Sequence, residues 1–150
     1  MEERFRAFTV LITKLYRDIR RIKTSEMHEY GLANSHVSCL YYLYKKKTLT
    51  AKELMDICLE DKASLSRAIA HLENSGLIHC NSLLKKRYNS AFELTPKGED
   101  VARSVAKKID EILNLASNGL SDNKRENMYE GLRLISHNLD EFCNKYEGDK

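Results

Sequence analysis

The segment "EDKASLSRAIAHLENSGLI", Glu60 to Ile78, decides the fold. Leu65, Ala68, Ile69 and Leu72 recur at the three-and-four spacing of an amphipathic helix and define its inward stripe. The opposite side carries Lys62, Ala63 and Ser64, then Ser66, Arg67, Ala70 and His71, with no acid between Asp61 and Glu73. A solvated surface helix ordinarily mixes long side chains of both signs. This face is small, hydroxylated and basic, a shape suited to lie close against a polyanion.

What surrounds it completes a helix-turn-helix. Upstream, "TAKELMDIC" reads as a short helix capped by Thr50, with Leu54 and Ile57 facing inward. A brief turn leads to Asp61, which caps the second helix. Downstream, "SGL" stops that helix, and two strand-like segments follow, "LIHCNS" and "SAFELT", the latter with Phe92 and Leu94 on one face. Between them "LLKKRYNSAF" carries three positive charges and no acid. A hairpin with a basic tip, directly after a helix-turn-helix, is a winged helix.

The groove chemistry follows from the residue types. The major groove of B-DNA admits a helix whose exposed face is slim, as Ala63, Ser64, Ser66 and Ala70 make this one. Arg67 can give guanine a bidentate contact, and the serines can bond bases or phosphates. Lys62 sits at the helix N-terminus, where unpaired amides also favour phosphate. On the wing, Lys85, Lys86 and Arg87 can reach backbone or the neighbouring minor groove. Thr50 and His71 complete the expected DNA-binding set.

The rest of the chain is helical. "NSHVSCLYYLYKK" precedes the motif; Thr95 and Pro96 in "LTPKGEDVA" mark the start of a helix running to about Ser117, where Asn118-Gly119 stops it. Ser121 caps the last helix. Its apolar residues Met128, Leu132, Ile135, Leu139, Phe142 and Tyr146 alternate four and three apart, as do Phe5, Phe8, Ile12, Leu15, Ile19 and Ile22 at the start of the chain. Such heptads pack helices along their length. We expect Phe5, Phe8, Ile12, Leu15, Leu132, Ile135, Leu139 and Phe142 to form a dimer interface. The order predicts one domain over 1–150, with dimerisation helices at 1–30 and 100–150 around a winged helix-turn-helix at 31–99.

Composition bounds the alternatives. At 150 residues, 42% hydrophobic and 31% charged, the chain suits one compact, helix-rich domain. Its net charge is only +3, from 25 basic and 22 acidic residues, so affinity for a polyanion must come from local clusters. Lys45, Lys46, Lys47 and Lys52 form one, read here as a solvated helix end near phosphates. Four cysteines, at 39, 58, 80 and 143, form no C-x-x-C pair or dense framework, which argues for a reducing compartment. The uncharged run Ala7–Thr13 is too short for export or membrane spanning, so a cytoplasmic protein is expected. No Gly-rich phosphate loop, nucleophile elbow or metal-ligand spacing is present, so neither an enzyme nor a cofactor is expected.

On these residues the chain resembles the MarR family of bacterial transcriptional regulators. The resemblance rests on "LTAKELMDICLEDKASLSRAIAHLENSGLI", on "ELTPKG", where Leu94, Thr95 and Gly98 meet the family's L-T-x-x-G, and on "LSDNKRENM". It implies a triangular homodimer whose first and last helices interlock, placing two winged helices on successive major grooves of double-stranded DNA. It also implies a repressor, with activator as the opposite sign, on a pseudo-palindromic operator. The effector would be a small aromatic or anionic ligand bound between dimer helices and winged helix; Arg17, Tyr41, Tyr42 and Tyr44 are the candidate lining, and the tyrosines read equally as core. Two departures stand out. Arg87 matches the family's wing arginine, but lysine, Lys85 or Lys86, replaces the usual aspartate, and Leu59 replaces the glycine often found in the turn.

Two other readings remain open. One is a cysteine-based redox regulator of the same fold; a reactive thiol needs an exposed, electropositive setting. Cys58 itself reads as core, and Cys39 with His36, or His79 with Cys80, falls short of the three or four ligands zinc needs. The other is a helical protein-interaction module, which acid on the recognition face would have favoured.

Overall fold

The computed structural model describes residues 2–81 and 90–147, and divides after Ile109 into two compact units. In the first unit a short turn, α1 (Glu2–Phe5), passes through a π-helical stretch, Arg6–Val10, into α2 (Leu11–Glu26). A 3-10 turn, His28–Tyr30, ends at Gly31, whose φ of 67° is a left-handed conformation glycine adopts without penalty. Then come α3 (Asn34–Lys46), β1 (Thr48–Thr50), α4 (Ala51–Cys58), α5 (Lys62–Asn74), β2 (Ile78–Cys80), β3 (Ala91–Leu94) and the start of α6 (Pro96–Ala116). The second unit holds the end of α6 and α7 (Asp122–Glu147).

Each helix of the motif begins where its side chains satisfy otherwise unpaired amides. Thr50 and Glu53 form a reciprocal capping box: Glu53 N–H donates to Thr50 Oγ1 at 3.2 Å, and Thr50 N–H to Glu53 Oε2 at 2.7 Å. At α5, Ser64 N–H donates to Asp61 Oδ1 at 2.8 Å. Thr95 Oγ1 accepts from Gly98 N–H at 3.0 Å at the head of α6, and Ser121 Oγ more distantly, at 3.4 Å, from Lys124 N–H.

The core of the first unit is built from α3 through α6 and the sheet. Val37, Cys39, Leu40 and Leu43 of α3 meet Leu54 of α4, the Leu65, Ala68, Ile69 and Leu72 stripe of α5, Phe92 of β3, and Ala102 and Val105 of α6. Ile57, expected to face inward, is half-buried and lies outside this cluster. Among the described residues three strands order as β1-β3-β2, with both pairings antiparallel. Phe92 pairs with Leu49 on one side and Cys80 on the other. Strand β1 is an addition to the predicted hairpin. Its Leu49 carries the sheet into the core beside α4.

Apolar seams remain uncovered in both units. In the first, Phe8, Ile12, Leu15, Ile19 and Ile22 are exposed; in the second, Met128, Leu132, Leu139 and Phe142 are exposed and Ile135 is half-buried. Phe5 belongs to α1.

Candidate nucleic-acid interface

The α5 face has the composition the sequence predicts. Lys62, Ala63, Ser66, Arg67, Ala70 and His71 are exposed, Ser64 is half-buried, and the opposite stripe is buried. Position along the helix does not by itself orient Arg67. A short relay does: Arg67 Nη2 donates to Ser64 Oγ at 3.2 Å, and Ser64 Oγ donates to Asp61 Oδ2 at 3.0 Å. Asp61 thus caps the helix and anchors the chain of contacts that draws the arginine toward the helix N-terminus. Its carboxyl is held below the ordinary range, first by the Ser64 amide, then by the Ser64 hydroxyl, with the Arg67 charge adding to both.

His71 is less free than expected. Its ring stacks on His36 of α3, centroids 4.2 Å apart and 4° from parallel. The contact ties the end of the exposed α5 face to the start of α3. His36 Nδ1 accepts the Ala33 N–H at 2.9 Å, which places the ring proton on Nε2. Burial, and then the charge of His71, hold His36 below its usual value of 6.5. A base whose folded-state value is lowered favours the unfolded state in acid. Stability is therefore full above about 6.5 and falls as pH drops through the lowered value. We expect wild-type protein to lose more thermal stability than His36→Gln between pH 7 and pH 5. Equal losses in parallel melts would take His36 out of the pH response.

Thr50 is also committed locally. Its hydroxyl serves the α4 cap and lies 2.9 Å from Glu53 Oε2. Between the helices, Leu59 closes α4 in the left-handed conformation, φ 54° and ψ 42°, and is 91% exposed. The turn that often uses glycine is made here by a strained leucine.

Strands β2 and β3 form the base of the wing, while Lys85, Lys86 and Arg87 lie outside the described residues. Glu93 organises that base: its Oε1 accepts from Asn81 Nδ2 at 2.9 Å and Thr48 Oγ1 at 3.0 Å, and its Oε2 is 3.8 Å from His79 Nε2. The Asn81 and Thr48 hydrogen bonds hold its carboxyl low. This cross-sheet carboxylate escaped sequence reading because its partners lie far apart in the chain.

The remaining candidates scatter. Tyr42 and Tyr44 pack against the core, and Tyr41 meets Tyr42 edge-on at 5.4 Å. Lys45 lies over the Tyr41 ring and Lys47 over the Tyr44 ring, Lys47 also pairing with Glu99 at 3.0 Å. Arg17 is exposed on α2 beside Asp18. Among the described residues no three His, Cys, Asp or Glu side chains converge as a metal site requires, and no helix is long and apolar enough to cross a membrane.

Residues 30–81, from the turn before α3 through both helices of the motif to the end of β2, match the model of the MarR family. The MarR fold extends well beyond that match. The crystal structure of the S. aureus MepR–DNA complex superposes with a TM-score of 0.77 at 18% identity, covering 88% of this chain and 97% of that one. A SlyA-like transcription regulator from Listeria monocytogenes gives 0.82 at 22% identity, over 95% and 96% of the two chains. NMB1585, a MarR family regulator from Neisseria meningitidis, gives 0.76 at 16% identity, over 90% and 95%. At these identities the likeness is one of fold. No curated protein sequence matches the chain.

Proposed function

We propose that the protein is a sequence-specific DNA-binding transcriptional regulator, a homodimeric repressor acting in the cytoplasm on a pseudo-palindromic operator. The observation that carries this reading is the α5 face: acid-free from Lys62 to Leu72, slim, and headed by an arginine held through Ser64 and Asp61. A helix so shaped fits the major groove, where Arg67 donates to guanine and Lys62 and the serines position the backbone. Lys85, Lys86 and Arg87 supply further phosphate contacts from the wing. The MepR structure in complex with DNA supports the same use of this fold. A homodimer reads two half-sites about 34 Å apart, one helical turn of DNA. The effector is a small aromatic or anionic ligand. Because Tyr42 and Tyr44 serve the core, Tyr41 and Arg17 are its better contacts.

The test is binding to the DNA upstream of the protein's own gene and to a scrambled duplex, at low and near-physiological salt. Specific regulation predicts a preference for the native duplex that persists as salt rises. Arg67→Ala should lose about 1–3 kcal/mol at the native site and relax one base position. An unchanged base preference would remove Arg67 from the readout. Failure to bind either duplex would move the reading to a protein partner.

A further inference from the structure

We propose that His36, which lies outside the helix-turn-helix, is part of the DNA interface: with His71 it forms a two-imidazole clamp on one backbone phosphate beside α5. The clamp rests on the DNA-binding reading and deepens it by naming a contact made from α3.

The stack brings a ring from α3 to the level of the α5 surface. His71 is exposed on α5, and the half-buried His36 lies against it at 4.2 Å, 4° from parallel. His36 is also held from its own side, since its Nδ1 accepts the Ala33 N–H at 2.9 Å. That bond leaves Nε2 as the N–H donor of the ring. Nε2 has no hydrogen-bond partner among the described residues, and it is not buried; the one buried side-chain polar atom without a partner there is Asn34 Oδ1. His36 therefore holds an ordered donor open to solvent, and His71 sets a second imidazole edge beside it.

The charges on the two helices favour an anion. Helix α3 carries no acid, and α5 carries none before Glu73. Arg67 precedes His71 by four residues, one turn and about 6 Å along the axis. Because the stack and the Ala33 bond already order the His36 ring, little rotamer freedom is lost when it binds.

The size of the groove makes that anion a phosphodiester of the DNA. A helix with its side chains is about 10–12 Å across, and the major groove is about 12 Å wide. Once α5 occupies the groove, a side chain from the helix packed behind it meets the rim, where the backbone runs. The two non-bridging oxygens of a phosphate can accept from the two rings. Contacts of this kind fix register and not sequence. Held at His71, α5 is set along the groove with Arg67 one turn away, against the bases.

The test starts from a duplex that the full-length protein selects from a randomised pool, and replaces its phosphates one at a time by uncharged methylphosphonates. Wild type should lose about tenfold in affinity at the clamped phosphate of each half-site, the scale of one hydrogen bond to a charged group. His36→Phe keeps a ring able to stack and removes the donor. It should lose about tenfold on the unmodified duplex, become indifferent to methylphosphonate at that phosphate, and stay sensitive at the others. His71→Phe should become indifferent at the same phosphate. His36→Gln, whose amide can accept from Ala33 and still donate, should bind nearly as wild type does and keep the sensitivity. Nitrogen NMR of the wild-type imidazoles reads the contact without any substitution: the His36 Nε2–H resonance should shift on the unmodified duplex and not on the one modified at that phosphate. A stack that serves structure alone would give His36→Phe the same loss at every modified position, or no loss, and a resonance blind to the modification; any of these would overturn the clamp. A protein that selects no duplex would instead fail the DNA-binding reading itself, and the clamp with it.

Discussion

Gly98→Ala is expected to be the most damaging single-methyl change in the described residues, costing about 3 kcal/mol or more, beyond the common range for overpacking. A Cβ at Gly98 would sit 1.8 Å from the Leu77 carbonyl oxygen and 2.7 Å from its carbon. Both are backbone atoms, so no rotamer change relieves the clash. The carbonyl is itself fixed: Leu77 O accepts from Thr95 N–H at 3.0 Å and lies 3.3 Å from the Thr95 hydroxyl, which donates to Gly76 O at 2.7 Å. Gly98 N–H in turn donates to that hydroxyl. Moving either segment dismantles the joint between the end of α5, the start of β2 and the head of α6. Gly131 supplies a control of opposite sign. It lies exposed inside α7 with nothing within 4 Å of an added Cβ, so Gly131→Ala should stabilise the helix by up to about 1 kcal/mol. Urea unfolding of the two variants beside wild type reads both effects. A Gly98→Ala midpoint at the wild-type value would mean that the α6 head can shift without cost.

This glycine marks the boundary of what the sequence discloses. It is legible as part of an L-T-x-x-G pattern, but the reason for it is the Leu77 carbonyl, about twenty residues away and brought close only by the fold. Local features read well because their causes are local. The caps at Thr50, Asp61 and Thr95 sit within three residues of the amides they satisfy, and the Leu65, Ala68, Ile69 and Leu72 stripe follows from helical period alone. Strand β1 did not read, because three residues carry no measurable alternation and its pairing depends on β3. The stack of His36 on His71 and the Glu93 network escaped for the same reason: each joins elements with no fixed sequence spacing. Even within α5, residue type and position made Arg67 a candidate reader but did not disclose the Ser64–Asp61 relay that holds it, since that depends on rotamers. Leu59 shows the converse. A glycine is the ordinary solution for a left-handed turn, and the chain makes the turn without one, at a strain cost borne in the open.

Placing a carboxylate in either heptad seam is expected to dissociate the proposed homodimer. Ile12 is 39% exposed and Leu139 48% exposed, each within a row of exposed apolar side chains of its own unit. Burying one such side chain yields about 1.5–3 kcal/mol, and a glutamate put there forfeits that gain and adds the cost of removing a charge from water. A two-fold interface presents every substitution twice. Ile12→Glu or Leu139→Glu should therefore weaken association by about 4 kcal/mol or more, roughly a thousandfold in dissociation constant. Sedimentation equilibrium across a dilution series would show wild type dimeric at concentrations where both variants run as monomers. Neither position belongs to the core, so circular dichroism of the variants should remain helical. Because one winged helix then reaches only one half-site, the monomers should also lose their preference for the paired sites of an operator. Dimers that survive both substitutions would place these seams outside the interface, and the pairing of two α5 helices on one operator would need a different surface.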